Sequence, residues 1–128
     1  MAARAQVDAA RCHAAIRVRD LDGVVRFYRD MLGIPVQFTR GDADHPDSVF
    51  FPGIQLVRAA GQDTAGKGVL DHVGLAVSNL DEILDGLAAA GVPLDVPLTD
   101  LSREFGSRVR LVFIRDPEGN RLELVQWG

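Results

Sequence analysis

A chain of 128 residues, 47% hydrophobic and 25% charged, can core one domain and is too short for two of ordinary size, so a single domain over residues 1–128 is expected. A formal net charge of −4, with arginines scattered among aspartates, leaves no electrostatic footprint for nucleic acid. Cys12 stands alone and excludes an internal disulfide framework, no apolar run nears the roughly 18 residues of a membrane span, and the opening MAARAQVDAARC lacks the apolar stretch of a signal peptide, so a cytoplasmic protein with neither nucleic-acid nor membrane partners is expected.

In chain order, CHAAIRV alternates as a strand, with Ala14, Ile16 and Val18 on one face and His13 and Ala15 on the other. Cys12 falls on the apolar side, where a small buried hydrophobe is expected. Asp20 is placed to cap a helix whose apolar stripe is Leu21, Val24, Val25, Tyr28 and Leu32, and Gly33 followed by Pro35 ends it. VQFT, SVFF and IQLVR read as strands, with GDADHPDS, which contains His45, as a solvated loop of turn formers. AAGQDTAGKG, Ala59 to Gly68, has no periodicity and reads as a linker.

The second half opens on LDHVGLAV, with Val73, Leu75 and Val77 on one face and His72, Gly74 and Ala76 on the other. Asn79 or Asp81 can cap a helix carrying Leu80, Ile83, Leu84 and Leu87, and Gly91 and Pro93 follow. VPLT, VRLVFI and RLELVQW are strands, DPEGN is a turn before the last, and Asp100 to Arg108 is a longer loop whose Gly106 and mixed Arg and Phe residues suit a mobile flap. The two halves match almost position by position, as βαβββ modules over about residues 12–58 and 70–127.

The repeat makes His13 equivalent to His72, and Gln55 equivalent to Glu123. In the last strand of each module Ile54 and Leu56, or Leu122 and Leu124, take the helix-covered face, which leaves Gln55 and Glu123 on the histidine side. One strand histidine alone reads as a hydrogen-bonded structural residue. Two at one module position, each beside small residues and matched by oxygen donors, point to a single divalent metal held by His13, Gln55, His72 and Glu123. Arg17 shares the His13 face, Arg103 and Arg108 lie in the long loop, and Trp127 lies on the Glu123 face. All four are candidates for substrate binding, the arginines as anchors for an anionic group.

Through HAAIRVRDLDGVVRFYRDMLGIPV, DHVGLAVSNLD and FIRDPEGNRLELVQ, the chain from Cys12 to Trp127 resembles the vicinal-oxygen-chelate superfamily, which includes glyoxalase I, methylmalonyl-CoA epimerase, extradiol dioxygenases and bleomycin-resistance proteins. The resemblance implies an α+β fold of two βαβββ modules forming an open, curled mixed sheet with helices on the outer face. It implies the same ligand set around one divalent ion (Zn, Ni, Co, Mn or Fe(II)), and a homodimer. It also implies a glyoxalase-type lyase or isomerase acting on a small α-oxygenated carbonyl or acid through a metal-stabilised enediolate or enolate, with Glu123 as proton carrier. An Fe(II) extradiol-type dioxygenase using His13, His72 and Glu123 is the alternative, and a methylmalonyl-CoA-epimerase-like enzyme shares the ligands. That epimerase would need Asp44, His45 or Asp47 as a second base, since no Glu precedes Glu82. A drug-sequestering binding protein is disfavoured, because all four positions carry competent ligands.

Overall fold

The computed structural model describes residues 4–61 and 68–128. Most of the expected linker, residues 62–67, lies outside them. The fold is α+β, and the chain divides into two compact units, His13–His72 and Val73–Gly128, the latter joined by the described residues up to Cys12.

The first unit runs β1 (His13–Val18), α1 (Leu21–Arg26), β2 (Phe38–Asp42), β3 (His45–Phe51) and β4 (Ile54–Arg58). Its sheet order is β2-β3-β4-β1, with β1 parallel to β4 and the other pairs antiparallel. This is the expected βαβββ module. Asp20 caps α1 by accepting from Gly23 N at 3.1 Å. The helix packs Leu21, fully buried, together with Val24, Val25 and Tyr28 onto Val18, Val49, Phe51 and Leu56. Truncating a side chain so enclosed costs about 2–5 kcal/mol.

Two sequence expectations fail here. Leu32 is exposed rather than part of the apolar stripe, because α1 continues through Phe27–Met31 as a π-turn closed by Leu32 N donating to Phe27 O at 3.1 Å. One extra residue in that turn rotates the later side chains out of phase, and Ile34 packs on the core instead. His45 lies not in a loop but at the start of β3, paired with Asp42. The polar residues of GDADHPDS extend both strands, and Asp42 Oδ1 accepting from Asp44 N at 2.8 Å closes the turn.

The second unit runs β5 (Val69–Ala76, whose first residues belong to the first unit), α2 (Leu80–Ala89), β6 (Val96–Asp100), α3 (Ser102–Phe105), β7 (Val109–Arg115) and β8 (Arg121–Trp127). The order is β5-β8-β7-β6, again with the first and last strands parallel. Leu80, the repeat mate of Leu21, is likewise fully buried, among Val77, Ile83, Val112 and Leu124. Gly33 and Gly91 both adopt positive φ, 69° and 73°, beyond their helices, where a side chain would be strained. Among the described residues no helix is long and apolar enough to cross a membrane.

Three features of this unit lie outside the repeat. Residues 4–12 are part of it: Asp8 N donates to Ala76 O at 2.8 Å, Ser78 N to Gln6 O at 2.9 Å, and Cys12 Sγ lies 3.4 Å from Asp8 O, so Cys12 is a half-buried terminal contact and not a strand residue. The expected open loop at Asp100–Arg108 is instead the end of β6 followed by the turn α3. It is tied by Leu101 N donating to Val109 O and by Val109 N donating to Ser102 Oγ, both at 3.0 Å. Asn79 does occupy the N-cap of α2, but its side chain is committed to the N-terminal segment, accepting from Gln6 N and donating to Arg4 O.

The cap contact on α2 comes from β8, where Gln126 Oε1 accepts from Leu80 N at 2.8 Å. Gln126→Ala should therefore lower unfolding free energy by about 0.5–2 kcal/mol, the usual cost of a lost N-cap. Urea unfolding of the two proteins measures it, and a loss below 0.3 kcal/mol, about the noise of such a comparison, would mean that water serves that N–H as well.

Candidate metal centre

In each unit the parallel pairing of first and last strand places the candidate ligands by register. Ala15 pairs with Gln55 in the first, and Gly74 with Glu123 in the second. His13 and His72 stand two residues before Ala15 and Gly74, on the same strand face. Ala15 is fully buried and Gly74 is buried. Gln55, His72 and Glu123 are buried, and His13 is half-buried.

Within the first unit the two imidazoles meet. His13 Nε2 lies 3.4 Å from His72 Nε2, with the rings nearly perpendicular at 84°. The other nitrogen of His72, Nδ1, donates to Asp71 Oδ2 at 2.6 Å. A neutral His72 with its proton on Nδ1 keeps the lone pair on Nε2, facing His13. Two metal–nitrogen bonds of about 2.1 Å at the tetrahedral angle separate their nitrogens by about 3.4 Å. The spacing and the donor chemistry therefore fit two nitrogen ligands of one divalent cation.

Electrostatics favours the same state. The His13 imidazole is lowered from the ordinary histidine value of 6.5 to about 4, chiefly by burial and then by the neighbouring His72, so it is neutral at pH 7. A metal ligand must be deprotonated, and this one is so in advance. Phe50 stands edge-on to His13 with centroids 6.3 Å apart, and Phe38 packs edge-on to Phe50 at 5.8 Å, giving the first unit an apolar wall. Gln55 Nε2 lies 3.5 Å from Ser48 Oγ on the neighbouring strand.

The remaining candidates are placed differently. Arg17 makes an ion pair with Asp71, its Nε 3.3 Å from Oδ1. Arg103 and Arg108 are exposed, one on α3 and the other just before β7. Trp127 is half-buried in the second unit, with Phe105 edge-on at 5.4 Å and the Arg11 guanidinium 5.7 Å from its ring. Asp71 and Ser48 were not predicted from the sequence. Asp71 carries a readable signal nonetheless, since the repeat places Cys12 at the matching position.

A family model described as the Glyoxalase/Bleomycin resistance protein/Dioxygenase superfamily matches residues 12–124. A probable lactoylglutathione lyase of Vibrio parahaemolyticus is 25% identical, with 89% of this chain and 88% of that protein covered. The crystal structure of methylmalonyl-CoA epimerase from Mycobacterium tuberculosis is similar at TM-score 0.64 and 25% identity, covering 98% of this chain and 92% of that one. The 2,3-dioxygenase LapB of Pseudomonas sp. KL28 has TM-score 0.70 and 20% identity; 91% of this chain is covered but only 41% of that one.

The His13 shift has a consequence for stability. The unfolded chain takes up a proton near 6.5 and the folded protein only near 4, so the contribution of neutral His13 is complete above pH 6.5 and is lost as pH falls from there through 4. Metal-free protein should lose stability over that window, and His13→Gln should lose less. Urea unfolding at several pH values compares them, and equal losses would show that His13 is not the source.

Proposed function

Because the chain belongs to the glyoxalase/bleomycin resistance protein/dioxygenase superfamily, we propose that it is a metal-dependent lyase or isomerase of glyoxalase type, acting on a small carbonyl compound or acid with oxygens on adjacent carbons. The observation that supports this reading is the pair of Nε2 atoms 3.4 Å apart, the spacing that two nitrogen ligands of one tetrahedral ion would have. In this reading His13, His72 and Glu123 each offer one ligand atom, and the Gln55 amide oxygen a fourth. When bound, a divalent ion supplies Lewis acidity that stabilises negative charge developing on substrate oxygen.

The protein's own part is to position, desolvate and move a proton. The Phe38 and Phe50 rings flank His13 on one side, and the reduced water contact there would strengthen polar interactions within the site. Glu123 is the sole carboxylate of the ligand set; as a ligand it would balance cationic charge and, when displaced from the ion, it would carry the proton between adjacent carbons. Arg103 and Arg108 are the proposed anchors for an anionic substrate group, with Trp127 contributing an apolar surface.

The lyase relative, of which the chain covers 88%, supports a glyoxalase-like reading, and the epimerase is covered to a similar extent. A dioxygenase would need an acid–base partner, whereas Tyr28 is packed against Phe51 and His45 is exposed on the β2–β3 hairpin. Epimerisation on two faces would need a second base, and Asp44, His45 and Asp47 are all exposed on that hairpin.

Two experiments test the reading. Wild-type protein should bind one divalent ion per chain, and His72→Ala should lose most of it, read by metal analysis after dialysis; unchanged content would refute the site. Glu123→Gln keeps shape and an oxygen ligand but not the base, so at saturating metal its solvent-hydrogen exchange into an α-hydroxy-carbonyl or α-hydroxy-acid substrate, per bound metal, should fall by about 10²–10⁴. Wild-type exchange per metal would remove Glu123 as the proton carrier. Turnover that required oxygen would favour the dioxygenase.

A further inference from the structure

We propose that Asp71, ion-paired with Arg17, is a positioning residue that fixes the ring orientation and tautomer of His72. The proposal rests on the metal-site reading above for its purpose, but its geometry stands without a metal.

Asp71 and His72 are sequence neighbours on a strand, and neighbouring strand residues ordinarily face opposite ways. Here the Asp71 carboxylate is turned toward the histidine, and Oδ2 accepts from Nδ1 at 2.6 Å. Its second oxygen, Oδ1, lies 3.3 Å from Arg17 Nε. One oxygen thus meets the imidazole, while the other forms an ion pair with a guanidinium whose Nε lacks hydrogen-bond geometry. The chain of contacts is sheltered as well: the side chains of His72, Asp71 and Arg17 are 6%, 20% and 30% exposed.

A neutral imidazole has two tautomers, and only the one protonated on Nδ1 offers its lone pair at Nε2, the atom that faces His13. A carboxylate on Nδ1 selects that tautomer, because it can only accept. Such carboxylate–histidine pairs commonly orient metal-binding imidazoles, and their loss typically costs 10–100-fold in metal affinity. The internal repeat sharpens the assignment. In the first module the position before the histidine is Cys12, whose Sγ is directed to Asp8 O, so this position supplies an orienting carboxylate for His72 and none for His13. Arg17 on this view serves Asp71 rather than a substrate anion.

The test uses the full chain with two independent readouts. Long-range ¹H–¹⁵N spectra of metal-free protein at neutral pH should show His72 protonated on Nδ1, and Asp71→Ala should move the proton toward Nε2. Titration with Mn(II) or Co(II) should show affinity reduced about 10–100-fold in Asp71→Ala, while Asp71→Asn, which keeps an acceptor oxygen, should retain the tautomer and most of the affinity. Arg17→Ala should move both readouts in the direction of Asp71→Ala by a smaller amount, and it decides the matter should Asp71→Ala fail to fold. A wild-type tautomer in Asp71→Ala, or in Arg17→Ala should that variant alone fold, would overturn the proposal. If the wild-type protein binds no metal, the metal-site reading falls, while the tautomer spectra still decide whether Asp71 orients His72.

Discussion

Parallel pairing between the first and last strand of each unit is the constraint on which the rest depends. β1 beside β4 and β5 beside β8 are not hairpins. Each pair requires a crossover, which here is the helix that buries Leu21 or Leu80 followed by the two antiparallel strands that lead back to the last one. Once the helix covers one face, strand alternation leaves only the other for polar side chains. A one-residue slip in register would send Gln55 or Glu123 into the apolar cluster, so burial of Leu56 and Leu124 enforces the placement of the polar residues. The core and the candidate site are thus two consequences of one pairing.

That arrangement carries an electrostatic cost that the sequence partly offsets. Burial disfavours charge on His13, which is useful only if the neutral form is the one needed. Aromatic rings from β2 and β3 add to the desolvation, while Asp71 and Arg17 place a paired negative and positive charge behind His72. The two histidines are therefore repeat mates by position and unlike in environment. The divergence falls in the residues next to them, Cys12 and Asp71, and not in the histidines themselves.

The second unit shows a different use of the same module. Its open face is partly filled, since Val109, Leu111 and Val125 form a cluster with Ala76 that Phe105 and Trp127 extend. α3 carries Phe105, so the segment that lengthens this module also supplies the residue that packs on Trp127. The first unit has no such helical turn between β2 and β3, where a short hairpin suffices.

Local pattern and internal repetition determined much of this protein without any structure: the strand faces, the Asp20 cap, the helix-ending glycines, the βαβββ order, and the equivalence of His13 with His72 and of Gln55 with Glu123. Each of these follows from periodicity or from a residue's own backbone preference, which a linear string records. The three-dimensional structure decided what neither periodicity nor the repeat records, locally or between distant residues. Leu32 turned outward because a π-turn shifted the helix phase, the α2 cap came from Gln126 on β8 because Asn79 was engaged by residues near the N-terminus, and Asp71 turned back to His72 while Arg17 formed an ion pair with it from another strand. A side chain's hydrogen-bond partner is chosen by what folding brings within about 3 Å, and sequence spacing carries that information only when the partner is local or repeated.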